Sequence, residues 1–174
     1  GGLYKDALFD TNMQGAQSVG MPVGVYFYSQ AITISEAVEE AEYVMNILSK
    51  YPKTEYPVYI DVEETAGGGR LEAANLGRQA YTDIVLAFCD TLRAAGYNSA
   101  VYSYQSRLNY QLYADQFAKK GYDLWYAYYN IDPWGFDGDF QIWQYTGTGR
   151  IDGIRGQVDL NVSKVDYSGA KDLQ

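Results

Sequence analysis

The stretch Glu55–Thr65, EYPVYIDVEET, decides how this chain is read. Pro57 opens a β-branched and aromatic run, Val58-Tyr59-Ile60, that leads directly into Asp61-Val62-Glu63-Glu64. That composition predicts a strand, and side chains on a strand alternate faces with period two. Asp61 and Glu63 therefore share a face, about 7 Å apart along the strand, and Glu64 points away. Two carboxylates where an apolar strand ends raise one another's pKa, and partial burial can hold one protonated near neutral pH. Such a pair suits glycosidic bond cleavage, where one carboxyl protonates the leaving oxygen and another group supplies negative charge or a nucleophile. Taken alone, the stretch fits an ordinary solvated strand end equally well.

Upstream, Leu8, Phe9, Met13 and Ala16 lie at helical spacing within residues 3–19, and Gly20 can close that helix. Pro22 then introduces residues 23–29, which read as a buried strand. Ser35 begins a helix with an N-cap signature, carrying Ala37, Ala41, Val44, Met45 and Leu48 on one side. Downstream, Gly67-Gly68-Gly69 gives either the low-profile backbone of a binding groove or a simple turn. Helices are predicted over 75–95 and 108–120, closed by Gly96 and Gly121. Strands are predicted over 100–104, 123–129, 140–145 and 158–162, with a loop at 132–135.

This alternation implies parallel strands with helices outside, in one domain over residues 1–174 without repeats or linkers. The strands end in Ser29, Glu63, Tyr104, Asn130 and Thr146. In a (β/α) barrel such ends share the face that carries the site. Six strands are predicted, against eight in a closed barrel.

Composition narrows the chemistry. The net charge is −9, with no Lys/Arg cluster to neutralise phosphates, which argues against nucleic acid. The sequence has no run of 18 apolar residues and no leader pattern, which argues against a membrane partner. Histidine is absent, and the single cysteine, Cys89, sits in the apolar helical pattern VLAFCDTL as a small buried hydrophobe. Carboxylates are left as the strong acid–base candidates, and no metal or organic cofactor is implied. Aromatic residues reach 16%, including 19 Tyr. Tyrosine stacks on sugar rings while bonding hydroxyls, and it equally fills sheet interiors.

In this setting the chain resembles glycoside hydrolase family 25, the Chalaropsis-type lysozymes or 1,4-β-N-acetylmuramidases. The resemblance rests on Asp6, Phe9, Asn12 and Ala16, then GVYFYSQA (24–31), PVYIDVE (57–63), AGYNSAVYS (95–103), LWYAYY (124–129) and IWQYTGTGRIDGIRGQVDLNV (142–162), in the family's order. It implies an α/β, barrel-like glycosidase fold that hydrolyses the β-1,4 bond between N-acetylmuramic acid and N-acetylglucosamine in peptidoglycan. Glu63 matches the general acid. Asp61 matches its partner carboxylate, stabilising positive charge or orienting the N-acetyl group, and Asp159 matches a further acidic site residue. Tyr28, Tyr102, Trp125, Tyr126 and Gln144 lie on matching strands as sugar contacts or core. The family's setting implies action outside the cell or release by phage lysis.

Nothing here matches the strand with a G-[IV]-D-[VI]-S motif that opens the family's domain, nor the helix and strand after it. The expectation is therefore an incomplete barrel lacking its first two strands, with weak or no hydrolysis by this chain alone. Open edges would favour strand exchange or a homo-oligomer. Two other readings stay open: a non-catalytic carbohydrate-binding fragment, and an assembly module recruiting a partner through those edges.

Overall fold

Six strands hydrogen-bond side by side in the order in which the chain supplies them. The computed structural model describes residues 2–168, so Gly1 and residues 169–174 of the single domain expected over 1–174 lie outside it. Helix α1 (Phe9–Ser18) precedes β1 (Val25–Tyr28), and α2 (Ile34–Leu48) leads to β2 (Val58–Asp61). Helices α3 (Arg70–Ala73) and α4 (Arg78–Ala94) lead to β3 (Ser99–Tyr104), and α5 (Gln105–Tyr110) and α6 (Ala114–Lys119) to β4 (Asp123–Ala127). A helix-free loop reaches β5 (Ile142–Gly149), and a turn returns as β6 (Val158–Ser163). Strands β1 to β5 pair in parallel and β6 is antiparallel to β5. The sheet curls into an α/β half-barrel, the barrel-like class expected from the sequence.

Alternation along each strand sorts side chains between two layers. Val58, Ile60, Val62, Val101, Leu124 and Tyr126 face the helices and join Val85, Phe88 and Leu92 of α4 in the main core. Tyr59, Ala100 and Ile142 point to the concave side, with Tyr56, Tyr102, Trp125 and Tyr167 against them. Cys89 is fully buried in the main core, where burial pushes its thiol up to about 12.

Several boundaries differ from the sequence reading, each for a local reason. The cap of α2 is Thr33 rather than Ser35, its side chain accepting from Glu36 N at 3.2 Å. The helix expected over 108–120 is split into α5 and α6. Arg78 Nε and Nη2 donate to Leu112 O at 3.0 and 2.7 Å, and Tyr113 N donates to Thr82 Oγ1 at 2.9 Å. These groups on α4 capture the backbone that would otherwise continue the helix. Strand β5 runs on through Thr146-Gly147-Thr148-Gly149, where its register with β6 shifts twice.

At the other side, β1 forms an edge. Tyr56 N bonds Val23 O and Ser29 N bonds Asp61 O, so odd-numbered residues face β2. Gly24, Tyr26 and Tyr28 consequently direct their backbone groups outward. Beside this edge lies an apolar groove of about 820 Å³, lined by Phe9, Met13 and Ala16 of α1 and by Val25 and Phe27.

Candidate active site

The period-two pattern of β2 brings two carboxylates to the concave face at the C-terminal end of the sheet. Tyr59 faces inward, so Asp61 and Glu63 follow it inward, while Val62 between them enters the main core. Glu64 is exposed, and its charge adds to the burial that raises the pKa of the Tyr104 hydroxyl. Gly67 and Gly68 adopt φ of 83° and 84°, a left-handed turn open to glycine, and carry the chain away just past the carboxylates.

Asp61 is only 5% exposed, and its Oδ1 has no hydrogen-bond partner. Loss of hydration, reinforced by the neighbouring Glu63 charge, pushes its carboxyl up to about 8. Glu63 is half-buried. Burial raises its pKa and Asp159 adds to the rise, while the Arg107 guanidinium opposes both. Arg107 is buried on α5, pairing with Glu72 at 3.2 Å and donating to Tyr81 Oη at 2.8 Å.

Asp159 comes from the antiparallel β6 and is exposed. A Cβ on Gly147 would sit 3.2 Å from both Asp159 Oδ1 and Tyr129 Oη, so this glycine lets the carboxylate and the phenol approach from two sides. Tyr102 Oη donates to Gln144 Oε1 at 2.9 Å, and Tyr129 Oη donates to the same oxygen at 3.1 Å. Trp125 lies edge-on to Tyr59 and Tyr102, with centroids 5.1 and 4.8 Å away, and its indole donates to Asn161 Oδ1 at 2.8 Å. Tyr28 bonds Thr65 Oγ1 at 2.6 Å on the loop beyond Glu63.

The structure thus brings Asp61, Glu63, Tyr102, Trp125 and Gln144 to the concave face, with Asp159 and Tyr28 at its rim. Tyr126 is not among them. It follows Trp125 directly, so it points to the opposite layer, where it is fully buried against Phe136 and Phe140. Tyr126 is core. The sequence reading also passed over Tyr26, Tyr129, Asn161 and Arg107. Three of these carried a signal: Tyr129 shares the parity of Trp125, Tyr26 that of Tyr28, and Asn161 that of Asp159. Arg107 reaches the site from a helix and carried none. Among the described residues, no group of three or more His, Cys, Asp or Glu side chains is placed to hold a metal, and no helix is long and apolar enough to cross a membrane.

Comparison with known proteins places this geometry among relatives. The family model described as glycosyl hydrolases family 25 matches residues 1–154. An autolytic lysozyme of Clostridium acetobutylicum is 28% identical over 160 residues, covering 91% of this chain and 44% of that protein. The modular autolysin LytC of Streptococcus pneumoniae superposes with a TM-score of 0.79 at 29% identity, over 91% of this chain and 37% of that one. LytC has also been solved in complex with a synthetic peptidoglycan ligand. A lysozyme of Streptomyces coelicolor shares the fold with a TM-score of 0.75 at 23% identity, over 94% of this chain and 76% of that one. The chain thus spans less than half the length of the first two.

Proposed function

The chain belongs to glycosyl hydrolase family 25, and from that premise we propose that it is a lysozyme-type glycosidase acting on peptidoglycan outside the cytoplasm. The bond cut is the β-1,4 linkage between N-acetylmuramic acid and N-acetylglucosamine. The observation that carries this reading is the Asp61–Glu63 pair, two inward carboxyls whose different burial sets them apart. Coupled carboxyls of this kind retain one proton into neutral pH. Glu63 is the general acid, since it is the more accessible and stands just beyond the strand end. Covering it with a sugar removes its remaining water, which favours the proton on Glu63. Asp61, then ionised, stabilises positive charge at the sugar or orients its N-acetyl group. Asp159 adds negative potential from across the cleft. Tyr28, Tyr102 and Trp125 supply ring faces and hydroxyls to the sugars, with Tyr102 and Tyr129 oriented through Gln144.

The test is dye release from purified peptidoglycan. Glu63→Gln is expected to lower the rate by about 10²–10⁴-fold, the usual worth of a positioned acid, while binding persists. Wild-type rates retained in that variant would refute the assignment. A second reading, sugar binding without hydrolysis, is favoured by the open β1 flank of the concave face. Wild-type binding with no dye release would select it.

A further inference from the structure

The turn between β5 and β6 carries two arginines that no carboxylate neutralises. Between Lys120 and Lys164 the only basic residues are Arg150 and Arg155, and both lie in this turn, in a chain whose net charge is −9. Both are exposed, and among the described residues neither forms an ion pair. Arg150 Nη1 donates to Gly156 O at 2.9 Å, and the side chain of Arg155 has no hydrogen-bond partner among those residues. Apolar groups stand beside them in the chain: Ile151 is 49% exposed and Ile154 54%. The backbone that presents them is closed on itself. Ile154 N donates to Ile151 O at 3.1 Å, and Gly153 and Gly156 take φ of 91° and 100°, which glycine adopts without strain. A closed turn has little conformational entropy left to lose on binding.

The turn grows directly out of the candidate site. Gln144, which accepts from the hydroxyls of Tyr102 and Tyr129, pairs with Asn161 across the two strands. Farther along, Gly147 leaves room for Asp159 Oδ1 and Tyr129 Oη, and Gly149 pairs with Val158. Arg150 follows that pair on one strand and Asp159 follows it on the other, so the arginines begin one residue beyond the rim carboxylate. The register shifts between Gln144 and Gly149 bend the hairpin, as bulges do where a sheet borders a site.

Charge and chemistry select the occupant. Asp152 and Asp159 flank the arginines in the chain, so a long polyanion meets repulsion on either side, and the acidic protein as a whole adds to it. Isolated carboxylates on a short, partly aliphatic chain meet two guanidinium groups and two isoleucines instead. The muramic acid whose bond is cut carries such a chain: a peptide on its lactyl ether, with free carboxylates and alanine methyls, which leaves the sugar sideways past the rim of the cleft. We infer that Arg150 and Arg155, with Ile151 and Ile154, bind the acidic stem peptide of the sugar held at Asp61 and Glu63. This rests on the reading of the carboxylate site as a muramidase site. The hairpin favours peptide-bearing strands and leaves bond cleavage to the carboxylates.

The probes are soluble, fluorescently labelled glycan strands from purified peptidoglycan, one sample with its stem peptides and one stripped of them by an amidase. Binding is read by fluorescence anisotropy on the Glu63→Gln protein, which is expected to leave the strands uncut. Peptide-bearing strands should bind about tenfold more tightly, the scale of two exposed charge pairs together. Adding Arg150→Gln/Arg155→Gln should erase that preference and leave the affinity for stripped strands unchanged. Amidating the peptide carboxylates should erase it equally, and added salt should weaken it. Arg150 also closes the turn, so Arg155→Gln is measured alone as well and should lose about threefold of the preference. A preference that survives the double substitution would overturn the inference, as would equal binding of the two strands by the parent protein, or no binding at all. Dye release is read separately: its persistence in Glu63→Gln counts against the acid assignment, while the strand comparison still decides the hairpin.

Discussion

Burial of the Asp61 carboxyl has a cost that depends on pH. The unfolded chain releases this proton near the ordinary value of 3.8, whereas the folded protein retains it to about 8. Between those values the native state binds more protons, so stability falls as pH rises through the window and levels off above it. Asp61→Asn should flatten that slope and be more stable than wild type at pH 8 by about 1–3 kcal/mol, well below the full linkage value because the pair is coupled. Urea denaturation at pH 5 and pH 8 checks this. Parallel slopes for the two proteins would refute it. At this scale the sequence was informative wherever period two applied: it placed Asp61 and Glu63 together and Glu64 apart. The same rule separates Trp125 from Tyr126, whose assignment to the site failed because adjacent strand residues face opposite layers.

Elements were legible where their boundaries are local and obscure where they are tertiary. Leu108 to Lys120 has continuous helical spacing and no proline or internal glycine. The break between α5 and α6 comes instead from Arg78 and Thr82 on α4, which take the carbonyl of Leu112 and the amide of Tyr113. Arg78 also lies over the Tyr113 ring, 4.3 Å from its centroid. Arg78→Ala should therefore destabilise the protein by about 1–2 kcal/mol, as expected for a half-buried charged donor. Its main effect should be faster amide exchange over residues 111–114, leaving β3 and β4 protected. Uniform loss of protection across the sheet would contradict this local role.

The whole molecule turns on its β1 edge. Outward backbone groups at Gly24, Tyr26 and Tyr28 border an apolar groove of about 820 Å³, and Tyr26 is itself exposed. An edge of this kind recruits another strand. Association of two copies through it is the expected outcome, seen as a mass that rises with concentration in light scattering. Tyr26→Pro removes an outward donor without touching the bonds to β2 and should restore the monomer. A wild-type mass independent of concentration would refute association. The sequence by itself determined the strand–helix alternation, the shared face of the two carboxylates, the apolar filling and the lack of histidine chemistry. Those follow from periodicity and composition, which act over a few residues. Only the tertiary structure decided that Asp61 is the buried member of the pair, that Arg107 sits behind Glu63, and that the antiparallel β6 carries Asp159 to the rim. Each depends on groups far apart in the chain, and desolvation and Coulomb forces act through space, which a linear pattern does not record.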